Sequence, residues 1–133
     1  MRASLIAYED LVAGDMVAVQ DGFSGRVAKC RITGSFLQSC CIGMAQNTTA
    51  AGNIVVVTLD GPSKDNIYRN ELVPGTDYYV GIAAQLVTFD KLKEQLVSGG
   101  YQDAYLVHVG LAASDDQLAV DIESSVYVIP SAL

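Results

Sequence analysis

The sequence predicts a mainly β domain: a compact β-sandwich or small β-barrel with an internal pseudo-repeat and one short helix near residues 88–98. Three observations predict it. Turn signals recur along the whole chain, at Gly14, Asp21-Gly22, Ser24-Gly25, Gly34, Gly52, Asp60-Gly61, Pro74-Gly75 and Gly99-Gly100, with short apolar or alternating runs between them. Two units repeat: Ala13-Gly14-Asp15-Met16-Val17-Ala18-Val19 leads to Cys41-Ile42-Gly43-Met44-Ala45, and Pro74-Gly75-Thr76-Asp77-Tyr78-Tyr79-Val80 leads to His108-Val109-Gly110-Leu111-Ala112. Finally, 133 residues that are half apolar and only 17% charged suit one folded domain and exclude a disordered chain.

Taken in order, residues 1–12 read as an N-terminal arm. Strands are expected at 16–20, 26–33, 39–45, 54–59, 66–72, 78–83, 104–112, 117–122 and 125–129. The run Ile54-Val55-Val56-Val57 is β-branched throughout, which predicts a central strand apolar on both faces. One segment departs from the β pattern. Phe89, Leu92 and Leu96 share a helical face, Thr88 or Asp90 can cap its start and Gly99 can stop it. An extended connection is the alternative there, because a helix this short depends on tertiary packing. Gly14 and Gly75 lie 61 positions apart, and Gly43 and Gly110 lie 67 apart. The difference is assigned to loop growth, with the helix as its natural place. Tyr78 and Tyr79 project to opposite sides of one strand, so one ring fills the core and the other stays near the surface. The apolar C-terminal strand either inserts into its own sheet or pairs with a neighbouring subunit.

The charged and reactive residues narrow the function classes. A net charge of −7 argues against binding a nucleic-acid backbone. Only Arg26, Lys29 and Arg31 cluster; on a strand, Lys29 and Arg31 share one face while Ala28, Cys30 and Ile32 take the other. That basic face is either solvated or a seat for an acidic partner. Cys30, Cys40 and Cys41 are odd in number with two adjacent, which suggests free thiols in a reducing compartment rather than a disulfide framework. Cys40 and Cys41 would face opposite sides of a strand, a poor geometry for a shared metal. His108 stands opposite Val107 and Val109 on its strand and belongs to no recognised catalytic motif. Asp115, Asp116, Asp121 and Glu123 lack the ligand spacing of a calcium loop, and Asp115-Asp116 reads as a turn. No cofactor is expected. The start of the chain lacks a signal-peptide core, and no apolar run approaches membrane-spanning length, so no membrane partner is expected either.

The run Ala13-Gly14-Asp15-Met16-Val17-Ala18-Val19, then Cys41-Ile42-Gly43-Met44-Ala45, then Ala50-Ala51-Gly52-Asn53-Ile54-Val55-Val56-Val57 with Asp60-Gly61 resembles the core of tailed-bacteriophage capsid cement (decoration) proteins. The second half is similar to modules of phage head and tail fibres. Two features depart from the cement pattern: Asn53 stands where an acidic residue is common, and adjacent cysteines precede Ile42-Gly43. The resemblance implies a structural virion protein, not an enzyme, made in the host cytoplasm and bound to the outer capsid surface. Its implied partner is the major capsid protein and its implied assembly a homotrimer at local threefold positions. A fibre, spike or baseplate component is the alternative, and a small-ligand barrel or enzyme would require a polar-lined pocket. The expected interface comprises Leu5, Ile6 and Tyr8 in the arm, Lys29 and Arg31 on the basic strand, and Tyr127, Val128 and Ile129 near the C-terminus.

Overall fold

The computed structural model describes residues 1–20, 25–63 and 71–133. The chain runs β1 (Arg2–Ala7), β2 (Met16–Val19), β3 (Arg26–Lys29), α1 (Phe36–Ser39), β4 (Cys41–Ala45), β5 (Ile54–Thr58), β6 (Asp60–Pro62), β7 (Asp77–Val80), β8 (Leu86–Val87), α2 (Phe89–Ser98), β9 (Ala104–Leu106), β10 (His108–Ala112), β11 (Leu118–Asp121) and β12 (Val126–Val128). A single 3-10 turn, Pro130–Ala132, follows. Five strands close a barrel in the order β1-β3-β2-β4-β5, and five more form an antiparallel sheet ordered β6-β11-β10-β7-β8. β9 and β12 make a separate two-stranded ribbon.

The duplication read from the glycine-bearing motifs extends to the hydrogen bonds. In the barrel, β1 neighbours β5, then β4, β2 and β3; in the sheet, β6 neighbours β11, then β10, β7 and β8. The turn before each second strand is tied down identically. Gly14 donates its N–H to Ala45 O and Gly75 donates to Ala112 O, while Ala45 and Ala112 donate back to Asp15 O and Thr76 O. Leu11 donates to Thr49 O and Leu72 to Asp115 O. The lobes differ at their seam. Parallel pairing of Ile6 with Arg26 and Ala7 with Val27 closes the barrel, whereas no pairing joins β6 to β8 among the described residues.

Gly43 and Gly110 fall at the same place in the two lobes because a side chain there has nowhere to go. A Cβ on Gly43 would meet the Thr58 carbonyl and the Val57 side chain of β5, and one on Gly110 would meet the Ala119 carbonyl of β11. Each glycine thus lets two neighbouring strands approach.

Two cores result. Ala7, Leu11, Val17, Val27, Ala45, Val55 and Val57 fill the barrel. The larger core lies between the lobes and beneath α2. Met16, Ala18 and Met44 reach it from barrel strands, and Val80, Leu92, Leu96, Val109, Leu118 and Val120 from the second lobe. β2 is therefore buried on both faces, as its uninterrupted Met16-Val17-Ala18 requires. The Met16 N–H also donates to the carbonyl of Ala84, a buried residue held at φ 63°, which ties the barrel to the turn between β7 and β8.

Several expectations are corrected. The N-terminal segment is no free arm: Arg2–Ala7 pairs along its whole length with β5, from Arg2 opposite Thr58 to Ile6 opposite Ile54. The strand expected over 26–33 stops at Lys29. The strand expected from 39 starts at Cys41, because Ser35 and Gln38 form a reciprocal capping box that winds Phe36–Ser39 into a turn of helix. The 104–112 strand is two strands broken at the fully buried Val107, whose carbonyl accepts from Val80 N. β5 is a central strand as expected, paired with both β1 and β4, but its second face is core only in part: Ile54 is exposed and Val56 half-buried, while Thr58 is buried. The turn signals at residues 21–24 and most of the strand expected over 66–72 lie outside the described residues.

The helix stands where the periodicity placed it. The Thr88 hydroxyl caps it by accepting from Lys91 N, and Leu92 and Leu96 are fully buried. Tyr78 is the inward ring of its pair, with its hydroxyl accepting from Val73 N. Tyr79 lies half-buried against Phe89 and His108.

Candidate interaction surface

Alternation along β1 sends Ala3, Leu5 and Ala7 inward and Ser4, Ile6 and Tyr8 outward. Leu5 packs against the barrel core and is only partly exposed, unlike the outward Ile6 and Tyr8 of the expected interface. Tyr8, beyond the strand, meets Lys29 and Arg31 across the β1–β3 seam. Together with Val19, Leu37 and Gln38 they line a groove of about 270 Å³ on the outside of the barrel. Glu9 organises its floor, accepting from the Lys29 N–H at 3.2 Å and from the Arg31 guanidinium at 3.3 Å. Ala28, expected on the opposite face, lines the groove too. Lys29 and Arg31 do share a side, but β3 ends at Lys29 and Ala28 lies with them, so strand alternation does not set the arrangement. The Arg31–Glu9 pair is half-exposed, so it fixes geometry more than it adds stability.

A second surface runs from α1 to the C-terminal ribbon. Phe36 packs edge-on against Tyr105 at 5.8 Å, and Tyr105 against Tyr127 at 5.9 Å. Tyr127, Val126 and Ile129 are each more than half exposed, while Val128 turns inward to the larger core. The C-terminal strand thus joins neither large sheet: it pairs with β9 alone, placing Tyr127 opposite Tyr105. Since Phe36 belongs to this ridge and Leu37 to the groove, α1 connects the two surfaces. Tyr8, Lys29 and Arg31 are brought together, Tyr127 and Ile129 form a separate patch, and Ile6 is exposed on the barrel wall.

The fold also assembles a group that spacing in the sequence could not reveal. His108 Nε2 lies 2.9 Å from Asp77 Oδ1, and its Nδ1 lies 3.3 Å from Glu123 Oε1. The first contact is a hydrogen bond. The second is close enough for an ion pair but not aligned as a hydrogen bond, so the buried Nδ1 has no hydrogen-bond partner. A neutral imidazole has one N–H and can satisfy one carboxylate; only the imidazolium can donate to both. Burial, and then the nearby Asp77 and Glu123 carboxylates, push the Tyr79 phenol upward. The two carboxylates sit at opposite ring nitrogens and do not converge on a common point. Among the described residues no cluster of three or more His, Cys, Asp or Glu is placed to hold a metal ion.

The three cysteines are free thiols. Cys30 is buried with its thiol donating to Ser39 O, and the adjacent Cys41 thiol, then burial itself, then Cys40 push it far above the ordinary value near 9. An unfolded thiol ionises from about pH 9, while the folded one stays protonated. The contribution is complete below pH 9, and stability falls by about 1.4 kcal/mol per pH unit above it. Urea unfolding between pH 8 and 10.5 checks this: the wild type should lose stability with that slope, and Cys30→Ala should lose less.

No protein-family model matches the chain, and no curated protein matches it.

Proposed function

We propose that this chain is a structural virion protein that docks on the outer surface of a phage capsid and braces neighbouring capsomers. Its partner in this reading is the major capsid protein, and its assembled form a homotrimer. The observation that carries the proposal is the joining of two exposed surfaces through α1, a groove carrying Lys29 and Arg31 and an uncharged aromatic ridge, on a frame made of two copies of one β unit. The cement-like motifs supply the identity of the partner. In the frame they occupy turns and closely approaching strands: Gly14 at a tied turn, Gly43 against β5 and Gly52 in a turn at φ 87°.

The physics of such docking is burial of apolar surface with a polar rim. A standard interface covers about 1,600 Å² in total, and many copies on one shell make the reinforcement multivalent. With Arg31 paired to Glu9, Lys29 leaves the groove net positive and able to meet an acidic side chain of a capsid subunit, although the chain as a whole carries −7.

Co-sedimentation with empty shells of the encoding phage's major capsid protein tests the reading. The wild type should bind to saturation, and Lys29→Glu should weaken binding on the order of tenfold at low ionic strength, less at high salt. A chain that ignores shells, and instead co-purifies with tail or baseplate assemblies, would replace the capsid reading with the fibre or baseplate one.

A further inference from the structure

The backbone of the C-terminal ribbon shows which groups its outer edge presents. In β9, the Tyr105 N–H donates to Ile32 O at 2.8 Å, on the side away from β12. In an antiparallel pair, a residue and its direct opposite either exchange both hydrogen bonds or neither. Tyr127 stands directly opposite Tyr105, so this is a pair that exchanges neither. Val126 and Val128 are bonded inward to Leu106 and Ala104, and Tyr127 therefore turns its own N–H and C=O outward. Among the described residues nothing bonds to them. The segment is an edge strand with one donor and one acceptor free at its centre.

Natural edge strands are blunted by charge, proline or a bulge. This one has none of these at its centre. From Ser124 to Leu133 no side chain is charged, in a protein of net charge −7, and the neighbouring Phe36, Leu37 and Tyr105 are uncharged as well. The nearest carboxylates, Asp77 and Glu123, line the groove beside Val126 rather than the edge itself, so no like charges face each other across the strand.

The geometry points to β12 as a self-pairing edge: two copies meet antiparallel about a twofold axis at Tyr127, forming the four-stranded sheet β9-β12-β12-β9. An antiparallel strand pair is self-complementary under a twofold, so each Tyr127 N–H donates to the Tyr127 carbonyl of the other copy. The register sets Val126 opposite Val128 and Ser125 opposite Ile129, with no charged pair. It also aligns the ridges, so that Phe36, Tyr105 and Tyr127 of one copy continue into those of the other. A second copy is the occupant because it brings the same short, uncharged edge in matching register. The contact uses the ridge that the capsid reading also assigns to docking, but not Lys29 and Arg31 of the groove, so the two readings are tested by separate variants. In a trimeric protein it would join one trimer to the next.

Sedimentation velocity of the isolated chain across a concentration series tests the inference. The wild type should show a reversible twofold rise in mass, monomer to dimer or trimer to hexamer. Tyr127→Pro removes the outward N–H while leaving the β9 bonds of Val126 and Val128 in place, so it should weaken the doubling by about tenfold or more. Tyr127→Phe keeps the N–H and the ring and should retain it. Circular dichroism checks that the proline variant is folded. Should it not fold, amide exchange in the wild type decides, since protection of the Tyr127 amide should rise with protein concentration. A mass that does not change with concentration, a doubling untouched in folded Tyr127→Pro, or a Tyr127 amide unprotected at high concentration would overturn the proposal. Loss of shell binding by Lys29→Glu with the doubling intact bears on the groove and leaves this contact standing.

Discussion

Replacing Gly110 by alanine should lower stability by about 3 kcal/mol, the upper range for forcing atoms into a packed site. The added methyl would meet the Ala119 carbonyl, a backbone atom held by pairing of β11 with both β10 and β6. A flexible side chain could turn aside; this carbonyl cannot. Gly43→Ala should behave alike, since its methyl would meet the Thr58 carbonyl and the Val57 side chain. Gly52→Ala is the informative control. Its φ of 87° disfavours alanine, yet no atom lies within 4 Å of the new methyl, so the cost should be only about 1–2 kcal/mol. Chemical denaturation of the three variants measures the ranking. Equal losses at all three positions would mean that backbone conformation, not strand approach, fixes glycine at the repeated site.

The second large effect is expected at Met44. It stands on a barrel strand but is fully buried in the larger core, alongside Met16 and residues of the other lobe. Met44→Ala should cost about 2–5 kcal/mol through lost burial and the cavity left behind. Because Met16, Ala18 and Met44 bind the barrel to the second lobe, the wild type should melt in one calorimetric transition. Separate transitions for barrel and sheet in the wild type would contradict the shared core.

Much of this architecture was legible in the sequence because repeated turns leave repeated marks. The glycine spacings of 61 and 67 identified equivalent strands, and the backbone bonds of Gly14 and Gly75 bear out that equivalence. The extra residues are not confined to the helix. From Val19 to the Ser35 cap, the first lobe uses eight residues more than the second does from Val80 to Thr88. The second lobe's helix is then six residues longer, and its connection to β10 eight longer, with β9 inside it. Linear spacing reports only the net difference. α1 had a readable signal in Ser35 and Gln38, the two partners of a capping box, but its single turn is too short to show periodicity.

The candidate surface was less legible. Tyr8, Lys29 and Arg31 were each identifiable as exposed polar or aromatic residues, yet their meeting depends on the parallel β1–β3 contact that closes the barrel. Leu5 looked like an arm residue because an apolar strand start and an apolar tail read alike; pairing with Val55 on β5 decides the matter. The partners of His108 could not be read at all. Asp77 and Glu123 are distant in sequence, and Asp77 reaches the imidazole through the β7–β10 pairing.

The proposed bracing of a capsid is tested by thermal unfolding of empty shells with and without saturating protein. Bound protein should raise the shell's melting temperature, with a plateau at a fixed number of copies per capsomer. Shells that melt at the same temperature whether or not the protein is present would contradict it.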